Sequence, residues 1–306
     1  MRAAFSDTLV ALAKQDPNVV LLTGDHGYAL FDAFRAACPD QYINAGIAEQ
    51  NMVGMAAGLA RAGYRPFVYG LAAFVPVRVV EQIKLDIAHD DLPVVLCGDG
   101  AGFVYSHLGT SHQSTEDIAV TRAIPGLTIY SPADRFELAA CMTQAYEKKS
   151  AVYMRMGKAD LGDVHHGALT ANAELFQQIE EGDDPRIAFV ATGSMAVTAG
   201  RIRAEYFPRA SLFTVPSIKP LDHRKLEEIA GSVQAICVLE EHSVIGGLGS
   251  AIAEVVAENQ TTRVLRIGVS DRFSHKCGTY RYLLEEHDLS FEAICAQVKK
   301  YVDDRE

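Results

Sequence analysis

Residues 44–58 read Asn-Ala-Gly-Ile-Ala-Glu-Gln-Asn-Met-Val-Gly-Met-Ala-Ala-Gly, and the rest of the chain is organised around them. A short strand is predicted just before this stretch, at 42–44, and a helix of small and apolar residues begins near Glu49. Glu49 is the only charged residue of the stretch. The helix dipole alone would explain an acid at this position. An acid in apolar surroundings also suits a group that shares a proton with a ligand, so both interpretations stay open.

Short apolar segments alternate with helical segments along the whole chain. In the first half, strands are predicted at 18–22, 42–44, 66–69, 92–97, 127–130 and 151–155, and helices at 3–14, 29–37, 74–89, 115–123 and 132–148. In the second half, strands are predicted at 186–191, 210–215, 234–239 and 262–267, and helices at 195–206, 222–230, 246–258 and 290–301. This alternation predicts an α/β fold of two domains, each a mainly parallel sheet flanked by helices. We expect domains at 1–160 and 186–306, joined by a linker at 161–185 that holds an acidic run.

Composition limits the class of function. The 306 residues, 49% of them hydrophobic, are enough to fill two cores of ~150 residues each. The net charge of −11 argues against nucleic-acid binding through a general basic surface. No apolar run approaches ~18 residues, so no membrane span is predicted, and the N-terminus lacks the apolar core of a signal peptide. The six cysteines show no metal-ligand spacing, which favours a reduced cytoplasmic protein without a metal site of its own.

Polar loops follow several predicted strands, at the sheet edge where ligands of such folds bind. Asp25 and His26 follow the first strand. A long loop, residues 98–112, follows the fourth strand and carries His107 and His112. A single loop histidine is more often an ordinary surface residue, but long glycine-rich loops tend to be functional. The two histidines do not have the spacing of a metal site.

Two arginines lie in otherwise apolar segments. Arg78 is on the predicted helix 74–89, and Arg155 ends the predicted strand 151–155. Either residue could be an ordinary surface cation. Either could also present the planar fork that suits a phosphate or carboxylate of a substrate.

Two glycine-rich segments have competing interpretations. Gly98-Asp99-Gly100 is similar to half of a metal and diphosphate motif, but no asparagine follows within 25–30 residues, so we interpret it as a strand-to-loop turn. Gly246-Gly247-Leu248-Gly249-Ser250 opens a predicted helix. Its N–H groups could bind an anion, and close packing of helix on strand would explain the glycines equally well.

Taken together, these segments resemble the two C-terminal domains of transketolase over nearly the whole chain. The matching segments are Gly46-Ile47-Ala48-Glu49-Gln50-Asn51-Met52, Phe74 with Arg78 and Glu81-Gln82, Ser111-His112-Gln113, Ser131-Pro132-Ala133-Asp134, Ile218-Lys219-Pro220-Leu221-Asp222, Glu240-Glu241-His242-Ser243 and Gly246-Gly247-Leu248-Gly249. Each match is weak by itself, and the resemblance rests on their number and order. The first of them is shared with deoxyxylulose-phosphate synthase.

The resemblance implies thiamine diphosphate as cofactor. Glu49 would hydrogen-bond the aminopyrimidine ring and favour its reactive tautomer, and Phe74 would stack on that ring, with Ile47 and Asp25 beside it. His112 would bind substrate or move protons. For the substrate, the resemblance implies contacts to Arg155, Arg78, His26 and His107.

The resemblance also implies an assembly. The diphosphate-binding domain and its Mg²⁺ motif are not in the sequence, so we expect a separate subunit to hold them, in an α₂β₂ complex with the site between chains. The implied reaction is transfer of a two-carbon ketol unit from a ketose, or its phosphate, to an aldose.

Two departures from the family pattern concern the substrate. Leu108 stands where transketolases place an acid that contacts a donor hydroxyl, and Gly100 stands where they often place a histidine. A site without such a partner discriminates differently among polyols, so we expect a specialised sugar. The alternatives are the β subunit of a 2-oxo-acid dehydrogenase decarboxylating component, a deoxyxylulose-phosphate-type synthase, and a non-catalytic assembly subunit.

Overall fold

A computed structural model describes residues 1–27, 29–158, 160–170, 172–259 and 262–303. Its strands are β1 (Val19–Thr23), β2 (Tyr42–Asn44), β3 (Arg65–Leu71), β4 (Val95–Asp99), β5 (Thr128–Tyr130), β6 (Val152–Met156), β7 (Gln177–Glu180), β8 (Ile187–Ala191), β9 (Ser211–Thr214), β10 (Ser217–Lys219), β11 (Ala235–Ser243) and β12 (Arg263–Val269). Its helices are α1 (Arg2–Gln15), α2 (Asp32–Ala37), α3 (Glu49–Arg61), α4 (Val80–Gln82), α5 (Asp117–Arg122), α6 (Arg135–Glu147), α7 (Met195–Tyr206), α8 (His223–Ser232), α9 (Leu248–Asn259), α10 (Tyr280–Glu286) and α11 (Phe291–Asp303).

The first sheet has seven strands in the order β10-β5-β6-β4-β3-β1-β2. All neighbours are parallel except β10, which pairs antiparallel with β5. Side chains of β1 alternate between two cores: Val20 and Leu22 pack on one face, Val19 and Leu21 on the other. Because both faces are covered by helices, β1 is apolar at almost every position rather than alternating.

The second sheet has five strands in the order β12-β11-β8-β9-β7, and only β7 runs antiparallel to its neighbour. Its core is continuous with α7 and α11 on one face. The predicted fold class, two mainly parallel sheets flanked by helices, is confirmed.

Four elements of the structure differ from the sequence-based prediction. The predicted linker contains β7, whose polar residues suit the edge position that it occupies. Neither α10 nor β10, which is only three residues long, was predicted. The predicted helix 74–89 begins later because Pro76 interrupts it. It consists of a short 3₁₀ turn at Val77–Val79, then α4, then a wider π-helical turn at Ile83–Ala88.

The parallel strands of the first sheet all end at the same edge, and the polar loops gather there. The segments after β1, β2, β3 and β4 carry Asp25, Glu49, Phe74 and the loop to His112. No helix in the described parts of the chain is long and apolar enough to cross a membrane. Five of the six cysteines are buried, and Cys277 is exposed.

Candidate active site

The turn that presents Glu49 is held by an asparagine. The Oδ1 atom of Asn44 accepts hydrogen bonds from the backbone N–H of Gly46 at 2.9 Å and of Asp25 at 3.3 Å. Gly46 has φ +72°, a conformation that favours glycine. The turn links the ends of β1 and β2 and places Glu49 at the first position of α3, where its carboxylate is favoured by the helix dipole.

Phe74 is the centre of a cluster of side chains at this edge. The Cζ atom of Arg78 lies over the Phe74 ring, 4.1 Å from its centroid. The Nη1 atom of Arg78 donates to Oε2 of Glu49 at 3.0 Å. Glu49 is buried, with 4% of its side chain exposed, whereas 46% of the Arg78 side chain is exposed. The arginine therefore reaches from the surface into the cluster.

Two histidines complete this cluster. The His112 ring meets the Phe74 ring edge-on, with 5.3 Å between centroids, and its Nδ1 lies 3.0 Å from Oγ of Ser111. The His26 ring lies 6.3 Å from Phe74. The structure thus brings together five residues singled out in the sequence. They are His26, Glu49, Phe74, Arg78 and His112, which come from the segments that follow four different strands.

Two buried polar atoms in the cluster are unsatisfied. The Oε1 atom of Glu49 and the Nδ1 atom of His26 have no hydrogen-bond partner among the residues that the structure describes. A buried acceptor without a partner is costly. The arrangement therefore suits a flat, hydrogen-bonding ligand that stacks on Phe74 and donates a hydrogen bond to Glu49.

The other predicted residues lie around this cluster or away from it. Ile47 is 76% exposed, beside Glu49 in the chain. Asp25 is exposed in the turn held by Asn44, with φ +61°. His107 is exposed on the loop that carries His112. No hydrogen bond joins Ile47 or His107 to the cluster in the described part of the chain.

Arg155 lies outside this cluster. This residue is only 2% exposed. Its Nε donates to Oδ2 of Asp117 at 2.8 Å, and its Nη2 donates to the Glu241 carbonyl of the second domain at 2.8 Å. Burial works to lower the pKa of Arg155, but the Asp117 carboxylate raises it overall. Arg155 therefore joins the two domains, and its contact with a substrate stays a prediction.

The glycines before α9 pack closely against a buried acid. The N–H groups of Leu248 and Gly249 donate to the two oxygens of Glu240 at 2.7 and 2.8 Å. A Cβ atom at Gly247 would collide with the Glu240 carboxylate. The anion at this helix start is thus supplied by the chain itself, and burial raises the pKa of Glu240 to about 7. Of the two interpretations of 246–250, close packing is the one that the structure supports.

Asn44 is the residue of the turn whose role was not recognised in the sequence. The signal was available, since asparagine side chains commonly hold the backbone of a turn two residues further on. Gly98-Asp99-Gly100 forms the predicted turn: Asp99 ends β4, Gly100 has φ +76°, and the Asp99 carboxylate accepts hydrogen bonds from Arg2, Tyr69 and Tyr105.

Comparison with known proteins assigns the two domains. The transketolase pyrimidine-binding domain matches residues 1–163, and the transketolase C-terminal domain matches residues 177–294. The fold and the cluster at Phe74 thus belong to a transferase subunit of the thiamine-diphosphate-dependent class. The chain is a member of the transketolase family.

Several relatives have similar length. A putative transketolase C-terminal section from Methanocaldococcus jannaschii is 35% identical over 305 residues, which cover 97% of this chain and 95% of that protein. One of the subunits of the apulose-4-phosphate transketolase from Phocaeicola vulgatus is 33% identical over 98% of this chain and 97% of its own length. A solved structure described as a split gene transketolase, an inactive β4 tetramer, superposes with a TM-score of 0.90 at 34% identity, over 98% of this chain and 97% of that one.

Proposed function

We propose that this chain forms half of a thiamine-diphosphate site and transfers a two-carbon ketol unit from a ketose, or its phosphate, to an aldose acceptor. The observation that carries the proposal is the buried Glu49 carboxylate with one oxygen unpaired among the described residues, next to the face of Phe74. An aminopyrimidine ring fits these residues, since it is flat and carries an N–H donor. When bound, the cofactor would supply a carbon nucleophile, the thiazolium carbon, that takes the two-carbon unit from the ketose and gives it to the aldose.

Each residue of the cluster has one task in this proposal. Glu49 holds a proton at the pyrimidine ring through Oε1. Phe74 offers a flat face for stacking. His112 exchanges a proton or a hydrogen bond with a substrate oxygen, because it faces the same ring from the loop side. His26, whose Nδ1 is buried without a partner in the described chain, lies beside the Phe74 ring, and Asp25 precedes it in the same turn.

Arg78 has a second task once the ring is bound. Its guanidinium now covers Phe74 and pairs with Glu49, so the cofactor ring would displace it. The freed guanidinium, already half exposed, would then be available to a phosphate or other anionic group of the substrate.

A partner subunit would hold the diphosphate and its Mg²⁺, in an α₂β₂ complex. Two exposed apolar side chains near the cluster, Ile47 and Leu108, support a partner surface on this edge. The solved relative that is described as inactive is a tetramer of β chains alone. We expect the isolated chain to bind the cofactor weakly, and calorimetry should show tight binding only after the partner is added.

The substrate is expected to be a specialised sugar. Leu108 cannot accept a hydrogen bond from a donor hydroxyl. A histidine at position 100 would be strained, because Gly100 has a positive φ and a Cβ atom there would collide with the Tyr105 ring. The relative from Phocaeicola vulgatus is named for apulose 4-phosphate, which supports a substrate other than the ordinary pentose phosphates.

The test is Glu49→Gln in the complex reconstituted with its partner, assayed on a panel of ketose phosphates with several aldose acceptors. We expect activity to fall at least ~100-fold, because glutamine cannot hold the exchanged proton. Glu227→Gln, an exposed acid on α8, is the matched control and should behave as wild type. Near-wild-type activity of Glu49→Gln would refute the proposed role, and decarboxylation of 2-oxo acids without ketol transfer would refute the proposed reaction.

A further inference from the structure

The histidine loop, residues 102–114, depends on outside contacts for its position. Two backbone hydrogen bonds close its base, from Gly102 N to Ser114 O at 2.7 Å and from Ser114 N to Gly102 O at 3.0 Å. Between them the loop makes only two short 3₁₀ turns, Ser106–Leu108 and Thr110–His112. Such short turns provide little rigidity of their own.

The second domain forms hydrogen bonds with residues near both ends of this loop. The backbone N–H of Phe103 donates to Oε1 of Glu241 at 2.7 Å. At the other end, Oε1 of Gln113 accepts a hydrogen bond from Oγ of Ser274 at 2.9 Å. Gln113 directly follows His112 and is only 6% exposed. The residue next to the proposed catalytic histidine is thus fixed by a side chain of the other domain.

Ser274 is itself oriented by a buried histidine. Its Oγ lies 2.9 Å from Nε2 of His287, and the His287 ring stacks on Phe103 with 4.8 Å between centroids. The three side chains therefore form a connected chain of hydrogen bonds, His287, Ser274 and Gln113. The His287 ring rests on the opposite end of the same loop, at Phe103.

A fourth contact between the second domain and the histidine loop lies at Gly109, in the middle of the loop. Gly109 has φ +82°, and a Cβ atom there would stand 3.0 Å from Sγ of Cys277. The segment 272–279 of the second domain thus lies directly against the loop between His107 and His112.

We propose that Ser274 and His287 are positioning residues for His112, so that the second domain sets the geometry of a site built on the first. The inference rests on the function proposed for His112. Catalytic groups lose much of their effect when displaced by about an ångström. In the described chain the His112 ring has one hydrogen bond, with Ser111, and one ring contact, with Phe74, while its backbone N–H donates to the Gly109 carbonyl within the same loop. Loss of the Ser274 hydroxyl should therefore loosen His112 without exposing any core.

The first test needs no partner and no cofactor. In the isolated chain, Ser274→Ala should raise amide hydrogen exchange about fivefold in residues 103–113 and lower the melting temperature by no more than about 3 °C. Ser232→Ala is the matched control, since it also removes one hydrogen bond of the second domain, from Oγ to the Ile229 carbonyl at 2.8 Å. Ser274→Thr should restore protection. Unchanged exchange in Ser274→Ala would overturn the anchoring.

The second test is a double-mutant cycle in the reconstituted complex. Ser274→Ala should lower kcat about tenfold with little change in cofactor affinity, and it should have no further effect in a His112→Ala background. The same loss of kcat in both backgrounds would overturn the inference. If His112→Ala alone kept full activity, the role proposed for His112 would fail, and the exchange experiment would still decide whether Ser274 anchors the loop.

Discussion

Two arginine–carboxylate pairs of the first domain have similar contacts and opposite surroundings. Arg155 and Asp117 are both buried, and Nη2 of the arginine also donates to the Glu241 carbonyl of the second domain. Arg78 pairs with the equally buried Glu49, but its guanidinium comes from the surface and covers an aromatic ring. The first pair is part of a domain interface. The second pair can open, because Arg78 reaches it from the surface and can move while the buried Glu49 stays in place.

The comparison predicts the largest effect for Arg155→Met. This change leaves Asp117 buried without its cation, which we expect to cost about 3–5 kcal/mol of unfolding free energy. Denaturant titration of the isolated chain measures it. Arg78→Met is the comparison and should cost less than half as much, because water can replace the half-exposed guanidinium beside Glu49. Equal losses in the two variants would remove the distinction between the pairs, and the double variant Arg155→Met with Asp117→Asn should recover part of the loss.

Glu137 is a buried carboxylate with no arginine partner among the described residues, and its contribution to stability should depend on pH. Glu137 accepts hydrogen bonds from Ala133 N and Thr214 Oγ, and burial raises its pKa from 4.5 to about 7. The folded chain then holds this proton more tightly than the unfolded chain. The stability that Glu137 contributes is full below about pH 4.5 and is lost as the pH rises towards 7.

We therefore expect wild type to lose up to about 3 kcal/mol relative to Glu137→Gln across this range. Glutamine mimics the protonated acid and should remove this part of the pH dependence. The difference between the two proteins is the quantity to measure, because His242, whose pKa burial lowers to about 4, gives the opposite trend in both. A difference that does not change between pH 4.5 and 7 would contradict the assignment.

The smallest effect is expected at the open pair. If the cofactor ring displaces Arg78 from Glu49 and Phe74, then Arg78→Met should tighten cofactor binding about threefold in the assembled complex, since no ion pair has to be broken. Titration of the cofactor by calorimetry measures this. Weaker binding in Arg78→Met would show that the arginine supports the ring instead of competing with it.

Hydropathy and alternation predicted most of the fold, and two of their failures share one cause. The strand β11 was expected to end at 239, but it continues to Ser243 through the buried Glu240, Glu241 and His242. These polar residues are buried because other groups satisfy them, such as the N–H groups of α9 at Glu240. A single sequence does not show such partners, and the contacts of Arg155 with Asp117 and the Glu241 carbonyl were missed for the same reason.

The candidate site was only partly predictable from the sequence. Glu49, Phe74 and His112 follow separate strands whose carboxyl ends meet at one edge, so their proximity could be expected from the order of elements. The contact of Arg78 with Glu49 depends on side-chain geometry after Pro76, and the hold of Ser274 on Gln113 joins residues 161 positions apart. Neither contact leaves a periodic signal in the sequence.

The short strand β10 has a consequence for how this polypeptide can be divided. It follows β9 of the second sheet, yet it forms the edge of the first sheet beside β5. A protein shortened to its first 160 residues would lack that strand and expose β5 as an open edge, prone to pairing with other chains. Conversely, a protease cut in the 161–170 segment should leave both fragments in one particle on gel filtration. The two domains are thus separable in sequence comparisons but not as independent modules for expression or exchange between relatives.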